Sequence, residues 1–249
     1  MKKLILILLI LIHYWSYCQS DSIKTSKRFA IGVNYSIDQT YRTLYITDNP
    51  YSQGIKDSRD SREEASVNYT VGLNFNYFLI KRLSIEIGVL YAKIGYQTKE
   101  TALIFSDLQD PRRGFTVDIN NLPVSEKRIV NQNYLNIPVE LKVFLMGNKV
   151  KFFLLGGIST NVFLDRVATY EWKLNDGSVD SVKETLRGGN FSKINMALVT
   201  GAGIDYSFKE KYKLRINPVY RRSISPIADW TNKEFPYSYG INLGVYFKL

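Results

Sequence analysis

Apolar and polar positions alternate along most of the chain with a period of two. The alternation falls into eight runs, near 27–38, 65–79, 83–98, 130–145, 149–165, 191–208, 211–224 and 235–249. A period of two marks strands with two unlike faces, and no stretch carries a convincing helical period. The intervals between the runs are long and short by turns. Those near 39–64, 99–129, 166–190 and 225–234 are long and rich in Asp, Asn, Ser, Lys and Arg, whereas Leu79–Lys81, Met146–Asn148 and Lys209–Glu210 mark tight turns. This predicts an up-and-down meander with short turns at one end and long loops at the other. An even strand number brings both ends of the domain to the short-turn side.

The two faces differ in kind. One parity carries Phe29, Ile31, Val33 and Tyr35, then Val67 to Tyr77, then Ile85 to Tyr91, and finally Tyr239 to Phe247. The other carries Asn34 and Ser36, then Asn68, Thr70, Gly72, Asn74 and Asn76, then Ser84, Glu86 and Gly88, and finally Ser238, Gly240, Asn242 and Gly244. The alternation leaves open which face points inward, and size decides. An eight-stranded barrel encloses a space that side chains just fill. Four to six large apolar residues per strand would overfill it, whereas Gly, Ser and Asn fit. The apolar face is therefore expected to meet lipid, and a sheet in hydrocarbon must close on itself to leave no backbone edge unpaired.

The predicted fold is thus all-β: an eight-stranded antiparallel up-and-down transmembrane barrel with short periplasmic turns and long external loops, as in bacterial outer-membrane barrels. Aromatic residues cluster at the strand ends. Phe29, Tyr77, Phe78, Phe144, Phe152, Phe153, Tyr206, Phe208, Tyr212 and Phe247 fall toward the short turns, and Tyr91, Tyr96, Tyr134, Phe163, Phe191, Tyr220 and Tyr237 toward the long loops. Two such groups match the interfacial girdles of a membrane barrel. The fifth run, VKFFLLGGISTNVFL, is apolar on both parities near its start and does not declare its facing.

Within the fourth run, YLNIPVELKVFL sets Leu135, Ile137, Val139, Leu141 and Val143 toward lipid, and Asn136, Pro138, Glu140 and Lys142 toward the interior. Pro138 cannot donate a ladder hydrogen bond, and a closed barrel offers no free edge to host it. A bulge or one missing bond is expected there.

Composition adds the compartment. The 249 residues, 45% hydrophobic and 22% charged, suit one folded β domain. Residues 1–19 place Lys2 and Lys3 before an apolar run from Leu4 to Ile12, the plan of a secretory signal peptide, with the barrel domain taken as 20–249. A membrane anchor is the alternative, but the run is shorter than the roughly 20 apolar residues that span a bilayer as a helix. Lipid attachment at Cys18 is a further variant. His13 and Cys18 are the single histidine and single cysteine, and both fall within or beside the segment expected to be removed. Without Lys2 and Lys3 the chain holds 31 basic against 23 acidic residues, a net charge of +8. An exported chain meets little nucleic acid, so none is expected as a partner. Outer-membrane lipids, lipopolysaccharide phosphates included, are nearer partners for such a balance, although a solvated basic surface explains it as well.

The strands YLNIPVELKVFL, FFLLGGISTNVFL, VTGAGIDYSF (199–208) and GINLGVYFKL (240–249) resemble those of the PorT-like small outer-membrane barrels, over roughly 27–249. The most specific element is Tyr134-Leu135 followed by Ile137-Pro138. The resemblance implies an eight-stranded outer-membrane barrel whose family namesake is an accessory of type IX secretion.

The interior parity carries few charges: Glu86, Glu140, Lys142, Asp205 and Arg215, with Arg221 higher up. Buried charges are normally paired, so a mutually neutralising network is expected; a gated ion path is the competing reading, which so narrow an interior disfavours. Membrane-barrel deacylases, palmitoyl transferases and omptin-type proteases all use histidine. A chain that loses His13 offers none, and zinc chemistry loses its usual ligands, so no catalytic, cofactor or metal residue is assigned. GAGIDY lies in a strand with no following helix and is not a nucleotide fingerprint. DPRRG (110–114), LRGG (186–189) and a lipid-facing Lys93 near the outer interface are surface charges that could meet anionic sugars or a partner protein. The reading is a non-enzymatic scaffold or partner-binding barrel, or a secretion accessory resembling PorT, with a soluble exported barrel holding a lipid-like ligand as the alternative.

Overall fold

The computed structural model describes residues 28–46, 50–103, 122–147, 149–186, 191–209, 211–228 and 232–249. The expected signal segment with His13 and Cys18, the DPRRG string and Arg187 to Gly189 of LRGG lie outside them. Among the described residues are ten strands: β1 (Phe29–Ile46), β2 (Glu63–Ile80), β3 (Leu83–Thr98), β4 (Thr101–Ala102), β5 (Pro123–Met146), β6 (Val150–Leu174), β7 (Val179–Thr185), β8 (Ile194–Phe208), β9 (Tyr212–Ser223) and β10 (Asn232–Lys248). One helix, α1 (Pro50–Arg62), lies between β1 and β2.

Eight of the strands form the predicted ring. Antiparallel pairing runs β5-β3-β2-β1-β10-β9-β8-β6, and β5 also pairs with β6, which closes the sheet. Closure of β1 onto β10 sets Ile31 opposite Phe247 and Tyr41 opposite Tyr237. The short connections follow β2 at Lys81–Arg82, β5 and β8, with Gly147 and Lys209 at positive φ.

The faces point as size required. On β1, Val33, Tyr35 and Ile37 are 44–56% exposed, while Asn34, Ser36, Asp38 and Thr40 are 6% exposed or less. A barrel that turns its apolar residues outward and fills its lumen with polar ones is built for lipid. The soluble-carrier alternative fails on that point, since a carrier needs the reverse.

Three expectations are corrected. The first long loop is not wholly irregular: β1 continues to Ile46, and α1 follows. This helix is polar on all sides, which explains why no hydrophobic period revealed it. The third long loop holds β7, and β6 continues to Leu174, so β5 and β6 rise well past the ring with β4 and β7 on their flanks. The aromatic groups do not all form girdles. Phe144 and Phe153 are buried in the lumen with Leu155, Val199 and Val219, and half-buried Phe78 packs on them; Tyr134 and Tyr96 are likewise buried. The fifth run resolves the same way, with Phe153, Leu155, Ser159 and Asn161 inward and Phe152, Leu154 and Ile158 outward.

Pro138 produces no bulge. The β3–β5 ladder runs to Ile87 opposite Val139 and resumes at Leu90 opposite Asn136 in the same register, skipping Gly88 and Val89. Toward β6 the strand stays paired, Pro138 opposite Ser159. The missing donor therefore falls on the β3 side. Gly88 leaves the ring its space: a Cβ there would stand 3.0 Å from Pro138 Cγ.

Candidate functional site

The inward parity of β3, β5, β8, β9 and β10 brings its charged groups to one level of the lumen. Glu86 is the hub. Its Oε1 takes Lys142 Nζ at 2.7 Å, and its Oε2 takes Arg215 Nη1 at 2.6 Å. Asn74 and Asn76 on β2 donate to it from the side, at 2.5 and 3.1 Å. Arg215 also embraces Asp205 with Nε on Oδ1 at 2.7 Å and Nη2 on Oδ2 at 3.0 Å, the two-pronged geometry in which a guanidinium holds a carboxylate best. Glu140 stands opposite Glu86 in the β3–β5 register. Like charges so placed repel, and Lys142, 3.2 Å from Glu140 Oε2, lies against both.

All five residues named from the sequence thus meet, and two more join them. Lys213, two positions before Arg215, puts Nζ 2.8 Å from Asp205 Oδ2, off hydrogen-bonding alignment. Tyr246 donates its hydroxyl to Glu86 at 2.9 Å and receives Arg215 Nη1 at 2.9 Å. Three cations and three carboxylates then balance in charge, which a low-dielectric interior requires. Cation–π contacts tie the cluster to the apolar plug beneath, with the Arg215 guanidinium 4.9 Å from the Phe153 ring and 4.3 Å from that of Tyr246. Parity could have found both newcomers: Lys213 shares that of Arg215, and Tyr246 that of Gly240, Asn242 and Gly244. Close approach demands Gly32 beside the tyrosine, since a Cβ there would stand 2.5 Å from Tyr246 Cδ1.

Between this level and the mouth lies one further charged pair. Arg221 Nη1 reaches Asp38 Oδ1 at 2.8 Å, and Asp38 also accepts from Ser36 and Thr70, each at 2.6 Å. Asn136, Asn161, Asn195 and Ser223 relay hydrogen bonds around the wall. Between them lies a cavity of about 20 Å³, room for one or two waters. The interior is a packed, hydrogen-bonded plug at both levels.

The outer mouth is held by α1. Arg59 sends Nε to Glu63 Oε1 at 2.9 Å, Nη1 to Glu234 Oε1 on β10 at 2.6 Å, and Nη2 to the Tyr96 hydroxyl at 3.2 Å. Arg42, buried beneath, pairs with Glu63 and Asp60. Burial alone would make Arg59 easier to deprotonate, but Glu234 and Glu63 outweigh it and hold the guanidinium above its ordinary value. Arg166 adds a second donor to Tyr96, at 3.1 Å. Lys93 lies half-buried on β3 opposite Asn133. Among the described residues no group of three His, Cys, Asp or Glu could hold a metal ion.

A closed eight-stranded ring with an apolar outer face, a polar filled lumen, short turns at one rim and ordered long segments at the other defines a bacterial outer-membrane β-barrel. The chain belongs to the outer membrane protein β-barrel domain family, whose model matches residues 18–242, and its place is the bacterial outer membrane. Solved structures with this architecture include Neisserial surface protein A, at 13% identity over 89% of this chain and 97% of that one (TM-score 0.44). Another is OprG of Pseudomonas aeruginosa, at 14% over 90% and 96% (TM-score 0.44). The outer membrane protease OmpT of Escherichia coli aligns at 9% over 93% and 99% (TM-score 0.40). No curated protein matches the chain.

Proposed function

We propose that this barrel is a non-enzymatic scaffold of the outer membrane that binds a protein partner on its external side, a role akin to that of the secretion accessories of the PorT-like family. The observation that carries the reading is the sheet β4–β5–β6–β7 standing outside the ring. Among the described residues strand β7 pairs with β6 alone, through Val167 opposite Thr185 to Lys173 opposite Val179. Its other edge presents a row of backbone donors and acceptors, the template on which an extended segment of a partner adds a strand. Val179 and Val182, 65% and 46% exposed, offer such a segment apolar footing, and Asp180, Lys183 and Glu184 between and beside them set its charge. A lumen filled by paired charges leaves the rim and wall, not a passage, as the working surfaces.

A photoreactive amino acid at Val182 in intact cells tests this. Transfer to one defined protein, lost when β7 is removed, is expected. If nothing is crosslinked, or if removal leaves the crosslinked partner's association unchanged, the reading fails. Loss of exported proteins from the surface of a deletion strain would identify the partner's pathway as secretion; intact export with lost attachment would identify adhesion.

A further inference from the structure

The outward wall of β9, β10 and β1 carries an arginine set among aromatic rings just where the strands leave the hydrocarbon. Tyr237 stands opposite Arg222 on one side and Tyr41 on the other. The Arg222 guanidinium lies 5.9 Å from the Tyr237 ring and donates to Thr43 Oγ1 at 3.3 Å, with Tyr220 and Tyr45 close enough to act on its charge. Rings tile the wall around it: Tyr220 against Tyr239 at 4.9 Å, Tyr239 against Tyr237 at 5.9 Å, Tyr237 against Tyr41 at 6.2 Å, and Tyr45 against Phe235 at 5.1 Å. One step further out, exposed Lys233 stands opposite Tyr45.

The height of this wall follows from strand geometry. Tyr237 and Phe247 are ten positions apart on β10. At about 3.4 Å per residue and a tilt of about 40° the rise is roughly 26 Å, close to the roughly 25 Å apolar belt of such barrels. With Phe247 at the inner interface, Arg222 comes level with the headgroups of the outer leaflet. Interfacial seating needs only the aromatic rings. Here a hydroxyl and a tyrosine ring hold a guanidinium on the lipid side, and among the described residues no carboxylate touches it. A planar fork so oriented suits the oxygens of a phosphate, while the neighbouring tyrosine faces suit the apolar face of a sugar ring.

We propose that this wall is a binding site for a phosphorylated glycolipid of the outer leaflet, the phosphate seated on Arg222 with Lys233 beside it and the sugar against Tyr237 and Tyr239. The full-length mature barrel, refolded in detergent and checked by heat-modifiable migration, is titrated with bisphosphorylated lipid A and with the same lipid stripped of phosphate, and bound lipid is read by native mass spectrometry. The wild type is expected to retain the phosphorylated form, and Arg222→Gln to lose about tenfold in affinity, as the removal of one charge-assisted contact implies. Lys211→Gln, in a turn at the opposite rim, is expected to bind as the wild type does. Equal retention of the two lipids by the wild type, which requires no variant to fold, overturns the proposal. So does equal binding by wild type and Arg222→Gln.

Discussion

Glu86 on β3 and Arg215 on β9 come from opposite sides of the barrel, 129 residues apart in sequence, and meet across the lumen with Nη1 2.6 Å from Oε2. Each is almost wholly buried. Neither has water to fall back on, so the pair ties together walls that no backbone ladder connects directly.

Glu86→Gln keeps the shape and removes the charge, leaving Lys142 and Arg215 with one carboxylate fewer between them. Stripping one partner from a buried ionic cluster typically costs about 3–5 kcal/mol. Urea unfolding in lipid vesicles is expected to show a loss of that order, partly recovered by adding Lys142→Met, which removes the cation now left over. A loss below about 1 kcal/mol, or no recovery in the double variant, would show the cluster to be energetically slack.

Pro138→Ala supplies the backbone donor that the β3–β5 ladder lacks. The register is already correct on both sides of the gap, so a new hydrogen bond worth about 0.5–1.5 kcal/mol net is expected, with the new amide at position 138 protected from exchange. Rapid exchange of that amide, with no gain in stability, would show that β3 offers it no acceptor.

Arg59→Ala should free α1 without opening the barrel. Its three anchors, Glu63, Glu234 and Tyr96, belong to the rim and not to the membrane-spanning wall. Protease added to vesicles is expected to cut within 50–62 several times faster, with heat-modifiable migration unchanged. Because the Arg59 proton is held above its ordinary value, the ion pairs contribute fully below the unfolded value and persist through any ordinary alkaline buffer.

Removing residues 175–186 should leave the ring intact, since among the described residues β7 pairs in the sheet with β6 and with no strand of the ring besides it. Normal insertion and heat-modifiable migration of the truncated chain are expected. Failure to insert would show that the external sheet takes part in barrel assembly.

Alternation and side-chain volume together determined the eight ring strands, their closure and their facing. A barrel wall has lipid on one side and a confined space on the other, so every strand must repeat the same two-residue code, and side-chain volume decides which parity fits inside. Glu86, Glu140, Lys142, Asp205 and Arg215 were legible for the same reason, as exceptions on the inward parity. Their partners were not. Which of Lys142, Lys213 and Arg215 meets which carboxylate depends on shear and register around a closed ring, and so does the arrival of Tyr246 from β10 beside Glu86. Phe144 and Phe153 misled because an aromatic near a strand end suits either a girdle or an apolar plug, and only the closed lumen shows which. Helix α1 and strand β7 left no periodic signal because neither buries a continuous apolar face: one rests on ion pairs to the mouth, the other on a single ladder outside the membrane. Tertiary structure decided what lies across a space, because the sequence records the side on which each residue stands but not the residue it will face.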